Sequence, residues 1–172
     1  MRKHHDRSAK RNDTFSPNLA FSRDRYKQIP DDTDYITLCF GINDDELHQH
    51  SPLGDINDTD NSTFFGAWNT VLEYYLTHFP YAKIGIIVPN GCTSTYTDAI
   101  RAISRKWGIP CLDIPGNYSV PMMNRVNEKN EVCDLVRDVR NKHFSVSEKN
   151  GHPNVKAHEY ESSFIEHWLR SL

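Results

Sequence analysis

No stretch of this sequence approaches the roughly 18 consecutive apolar residues of a membrane-spanning helix, and the mean hydropathy is −0.68, so a helical membrane span is excluded. Cysteine is scarce and badly spaced for structural chemistry. Cys39, Cys92, Cys111 and Cys133 make no Cys-x-x-Cys pair and have no Cys/His spacing suited to zinc. Charge of one sign is missing too: 20 Lys and Arg stand against 23 Asp and Glu, for a net of −3 and a pI near 6.3. Nucleic acid is therefore not the expected partner, because phosphate binding needs a basic field. No Gly-rich phosphate loop follows any apolar run, which argues against an unrelated flavodoxin-like ligand binder.

Nine histidines invite a metal reading that their positions do not support. His4 and His5 sit in a basic N-terminal tract, and His48 and His50 sit in a polar loop without further ligands. The acidic run from Asp55 to Asp60 lacks the sixth-position Gly and twelfth-position Glu of a calcium loop. Neither metal nor cofactor is expected.

What is present is an ordinary globular composition: 172 residues, 37% hydrophobic and 25% charged, enough for one domain with its own core. The first twelve residues hold five Lys and Arg and one acid. With no apolar segment behind it this tract does not read as a secretory signal, which leaves a cytoplasmic location as the default. Residues 1–20 are expected to be a disordered tail, and 21–172 the domain.

Asp34-Tyr-Ile-Thr-Leu-Cys-Phe40 reads as a buried strand, in which Cys39 would act as a small hydrophobe. A long polar loop over 44–63 follows. Phe64, Trp68, Val71, Leu72, Tyr75, Leu76 and Phe79 then recur at three and four, an amphipathic helix stopped by Pro80. Ala82 to Val88 is a strand continuous enough to be buried on both faces, and 94–107 is a helix ending before Gly108. Ile109 to Ile114 is a third strand, a short helix lies near 131–141, and a last helix starts close to Asn154. Alternating strand and helix predicts a parallel α/β sandwich.

In such a sheet ligands bind beyond the carboxyl ends of the strands. Gly41-Ile-Asn-Asp44 follows the first strand, and Gly151-His-Pro-Asn154 precedes the last helix. The missing Cβ at Gly41 leaves room for close approach, so the Asn43 amide can act as an oxyanion donor. His152, with Pro153 setting the approach angle, can act as a general base. Taken singly, the first block is also the composition of a plain turn and the second that of a helix start capped by Asn154.

Together and in this order, Phe40-Gly-Ile-Asn-Asp44 and Gly151-His-Pro-Asn154 resemble two blocks of the SGNH (GDSL-type) hydrolases. The similarity runs from about Phe21 to Leu172 and includes Phe64-Phe-Gly-Ala-Trp68. The resemblance implies a three-layer α/β/α sandwich with a parallel, flavodoxin-like sheet. It also implies a serine esterase acting on carbohydrate, lipid or small acyl esters without a metal. His152 would be its base, Asn43 an oxyanion donor and Gly41 the structural glycine of that block.

Two positions depart from the family pattern. There is no Gly-Asp-Ser block; Gly54-Asp55-Ile56 mimics it with Ile in place of serine, inside the polar loop. Three residues before His152, where the family places an acid, stands Lys149, with Glu148 one further back. The resemblance thus implies an N-terminally truncated copy of the fold, with the Asp34 strand left as an exposed edge open to self-association. The rival to an esterase is a non-catalytic binding or association module of the same fold.

Overall fold

The computed structural model describes residues 25–45, 51–116, 134–147 and 150–172. The basic tract, His48, His50, Cys133 and position 149 lie outside these residues. After a 3-10 turn at Arg25–Lys27 come β1 (Tyr35–Leu38), α1 (Phe64–His78), β2 (Lys83–Val88), α2 (Ser94–Trp107) and β3 (Cys111–Asp113). They are followed by α3 (Asp134–His143), β4 (Ser145–Ser147), β5 (Asn150–Pro153) and α4 (Val155–Ser171).

β1, β2 and β3 form a parallel sheet in that order, with Tyr35 opposite Lys83 and Ile87 opposite Leu112. The central strand buries every residue after Lys83, as expected for a parallel strand covered on both faces. Helices cover the two faces unequally. Ile36, Leu38, Ile84, Ile86 and Val88 pack with Phe64, Trp68, Leu72, Tyr75, Ile100 and Ile103 of α1 and α2 in one large cluster. Ile87, Leu112 and Ile114 on the opposite face meet Ala157 of α4, with Phe144, Tyr160, Phe164, Ile165 and Trp168 half-buried against them.

Local chemistry explains the element ends. Thr63 caps α1 by accepting the Gly66 N–H on its hydroxyl at 3.1 Å, and Pro80 prevents continuation. α4 begins at Asn154, whose side-chain oxygen accepts the Ala157 N–H at 3.1 Å. Gly85 in β2 is a point of close approach: a Cβ there would collide with the Trp168 ring of α4. Its absence lets α4 lie down on the sheet.

α4 runs antiparallel to the strands. Its first turn packs at the carboxyl end of the sheet through Ala157, and its end reaches Gly85 through Trp168 and Leu172. Two expectations need correction. Gly151-His-Pro is not a turn before the helix but part of β5, which pairs antiparallel with β4. Cys39 is exposed, one residue past the end of β1.

Candidate functional site

The rim at the carboxyl end of β1 is built around Gly41. Its φ of 132° is a backbone conformation that L side chains rarely adopt, and a Cβ would lie 3.0 Å from Ile100 Cδ1 and 3.5 Å from Cys92 Sγ. The Asp44 N–H donates to the Gly41 carbonyl at 3.1 Å, closing a turn that leaves Asn43 exposed at its outer position.

Behind that turn stand two buried carboxylates. Ser51 donates its N–H to the Asp44 carbonyl at 2.8 Å and its hydroxyl to Asp44 Oδ1 at 3.0 Å. The Tyr96 hydroxyl of α2 donates in turn to the Ser51 carbonyl. Asp45 Oδ2 accepts the Thr93 N–H at 3.1 Å, so an acid on the β1 side satisfies an amide at the start of α2, where negative charge is favoured. Asp44 Oδ2 is buried with no hydrogen-bond partner among the described residues. Burial pushes the Asp44 carboxyl up to about 6; the Ser51 hydrogen bond opposes this and the Asp45 charge adds to it.

His152 lies in the separate β4–β5 hairpin. Asn154 donates its amide to the carbonyls of His143 and Ser145, both at 3.0 Å, while its N–H bonds the Phe144 carbonyl at 2.9 Å. One residue thus clamps the end of α3, β4 and the start of α4. His152 is two residues before that clamp, exposed on β5 at the end of α4 that faces the strand termini. Asn43 thus follows β1, and His152 lies on β5 of the β4–β5 hairpin.

No protein-family model and no curated protein matches the chain. Solved structures do. A protein from Lactobacillus plantarum superposes with a TM-score of 0.64 at 24% identity, covering 86% of this chain and 71% of the other. A protein described as a candidate GDSL-like lipase from Bacteroides ovatus matches at TM-score 0.55 and 22% identity, over 81% of this chain and 55% of its own. The fold is that of the GDSL-like hydrolases. A protein described as a possible lipase from Chitinophaga pinensis shares it at TM-score 0.51 and 17% identity, over 63% of this chain and 52% of its own. The chain thus spans only about half the length of these last two neighbours.

Within this GDSL-like fold the structure adds a group that sequence reasoning missed. Glu161 of α4 is half-buried, hydrogen-bonded by the Asn90 side chain and near Cys39, whose thiol is pushed up to about 11 by desolvation first and by the Glu161 charge second. Desolvation raises the Glu161 carboxyl; the nearby His158 and the Asn90 bond pull it back. Its Oε1 is buried without a partner among the described residues. His158 is exposed, beside Glu161. The signal was in the periodicity. Glu161 occupies the same helical stripe as Ala157, Phe164, Ile165 and Trp168, where a carboxylate is out of place. Among the described residues no three His, Cys, Asp or Glu side chains are grouped to hold a metal.

Proposed function

We propose that this chain carries the oxyanion-donor and base portion of an ester-hydrolysing site that acts on carbohydrate, lipid or small acyl esters. In this reading a serine hydroxyl attacks the ester carbonyl and His152 accepts its proton. The Asn43 amide donates to the oxygen that becomes negative. The imidazolium then returns the proton to the departing alcohol. Gly41 serves by letting the backbone turn so that Asn43 faces outward. The reading is supported by two sequence blocks placed in a GDSL-like fold, the Gly41–Asn43 turn after β1 and His152 on β5 just before α4.

The sequence contains no Gly-Asp-Ser block, so the hydroxyl is supplied by a segment other than those named above. Two measurements test the reading. The 172-residue chain alone is expected to hydrolyse p-nitrophenyl acetate no faster than its His152→Ala variant; a large His152-dependent rate would locate the nucleophile within the chain. Titration with acetate, the acyl product, is expected to shift the NMR signals of the His152 ring and the Asn43 amide together. Failure to move either would sink the proposal. A second reading, a non-catalytic binding or association module, is favoured by one observation: among the described residues β1 has a strand partner on one side only.

A further inference from the structure

The chain contains two Asn-Gly pairs, Asn90-Gly91 and Asn150-Gly151. Such a pair carries a reaction of its own: the glycine backbone nitrogen can close on the asparagine side-chain carbon, because no Cβ on the glycine stands in the way. How far it goes depends on the fold. Asn150-Gly151 lies within β5, and Asn150 is opposite Ser147 in the antiparallel ladder with β4, so its backbone is tied into a sheet. Asn90-Gly91 lies just past Val88, the last residue of β2, in the turn that leads to α2.

That turn is anchored at both ends and open in the middle. Pro89 is buried ahead of it, and behind it the Thr93 N–H donates to Asp45 Oδ2 at 3.1 Å. Between them Gly91 is exposed with φ 93°, and nothing lies within 4 Å of where its Cβ would stand. No packed side chain shields the glycine. The asparagine is half-buried, and its side-chain amide donates to the Glu161 carboxyl of α4. That bond ties the side chain to a different element from the one that carries the attacking nitrogen.

We propose that Asn90 is a site of spontaneous deamidation, restrained by its hydrogen bond to Glu161 and open to reaction whenever α4 lifts from the sheet. The Gly91 nitrogen bonds to Asn90 Cγ and loses its proton, the Cγ–Nδ2 bond breaks, and ammonia carries that proton away. Water then opens the resulting five-membered imide at one of its two carbonyls. One opening gives aspartate; the other gives isoaspartate, whose main chain runs through Cβ and Cγ and is one carbon longer. Only water is consumed, and nothing is oxidised or reduced.

Each product puts a carboxylate where a donor amide stood. A second negative charge then faces Glu161 in a half-buried setting, where like charges repel more strongly than in water. The reaction thus removes its own restraint, and α4 of a modified copy docks less firmly. The longer main chain of isoaspartate also shifts the turn after β2, at the strand end where ligands of parallel sheets bind.

The test is peptide mapping of the full chain after incubation at mildly alkaline pH. Trypsin releases residues 84–101, in which Asn90 is the only Asn or Gln, so a gain of about 1 Da there reports this site alone. Conversion of 84–101 is expected to run ahead of that of 150–156, with isoaspartate among the products. It should accelerate at least about threefold in Glu161→Ala and, without any substitution, in low urea that releases α4. Asn90→Asp should speed hydrogen exchange across Val155–Ser171 with no incubation. An unmodified 84–101 beside a converted 150–156 overturns the proposal. So does a rate that neither Glu161→Ala nor low urea changes, or an Asn90→Asp variant whose α4 exchanges like wild type.

Discussion

Asn69 joins three parts of the structure through one side chain. Its amide donates to the carbonyls of Ile56 at 3.0 Å and Asp58 at 2.7 Å, and its oxygen accepts from Lys106 Nζ at 3.1 Å and Trp107 Nε1 at 2.8 Å. It thereby ties the polar loop to α1 and α2. Asn69→Ala strands the Trp107 N–H and the loop carbonyls, and a loss of about 3 kcal/mol in urea unfolding is expected. Asp44 gives a second prediction, with the opposite sense to an ordinary salt-bridged acid. Its carboxyl is raised from 3.8 to about 6, so the folded state holds the proton longer than the unfolded chain. Folding is thus favoured below pH 4, and that contribution is lost as pH rises through 6. Asp44→Asn cannot ionise and keeps an oxygen for the Ser51 hydroxyl. It should raise Tm relative to wild type at pH 7.5 and not at pH 4.5, which thermal unfolding at the two pH values checks. Neither residue stood out in sequence. Asn69 looked like one polar position on an amphipathic helix, and Asp44 and Asp45 like the start of a solvated loop. Their burial depends on Ser51, Thr93 and Tyr96, which only the folded chain brings to them.

At the scale of elements, the parts legible in sequence were those whose burial is written in their own periodicity. β2 could be read because its run is apolar throughout, and α1 and α2 because their stripes recur at three and four and end at Pro80 and Gly108. The β4–β5 hairpin was not legible. Ser-Val-Ser and Asn-Gly-His-Pro have neither apolar alternation nor strand propensity, and the pairing is held by the Asn154 clamp rather than by a hydrophobic face. Gly41, Asn43 and His152 are candidates by residue type and order alone, while Glu161 required knowing which face of α4 meets the sheet. Burial of Cys39 failed for the same reason, since it depends on what lies over β1. The docking of α4 rests on Gly85. In Gly85→Val the new side chain occupies the place of the Trp168 ring. Overpacking of this kind is expected to cost about 2 kcal/mol and to shift α4 without loosening α1 or α2. Hydrogen exchange should therefore show faster exchange across Val155–Ser171 and unchanged protection in Phe64–His78; equal acceleration in both helices would refute the assignment.

For the molecule as a whole, the unequal covering of the two sheet faces sets the order in which it opens. On the α1–α2 face 17 buried residues form one cluster, spanning both helices, β1 and β2; on the α4 face only four are buried, and the aromatic residues of α4 around them stay half-exposed. At roughly 25 cal/mol per Å² of apolar surface, the first face carries most of the hydrophobic stabilisation among the described residues. α4 and the hairpin depend on the smaller share plus the three Asn154 hydrogen bonds to His143, Phe144 and Ser145. Opening should then be stepwise, with β4, β5 and α4 released together before the β2 core. Native-state hydrogen exchange across low urea is expected to give lower opening free energies for Ala157–Leu172 than for Ile84–Val88 and Val71–Tyr75. Asn154→Ala, which removes the clamp and the α4 cap, should widen that gap by about 1–2 kcal/mol. Because His152 lies on the released part and Asn43 on the retained part, the variant should release His152 well before the segment around Asn43 opens. A single opening free energy shared by all these segments would show that the two faces fold as one unit.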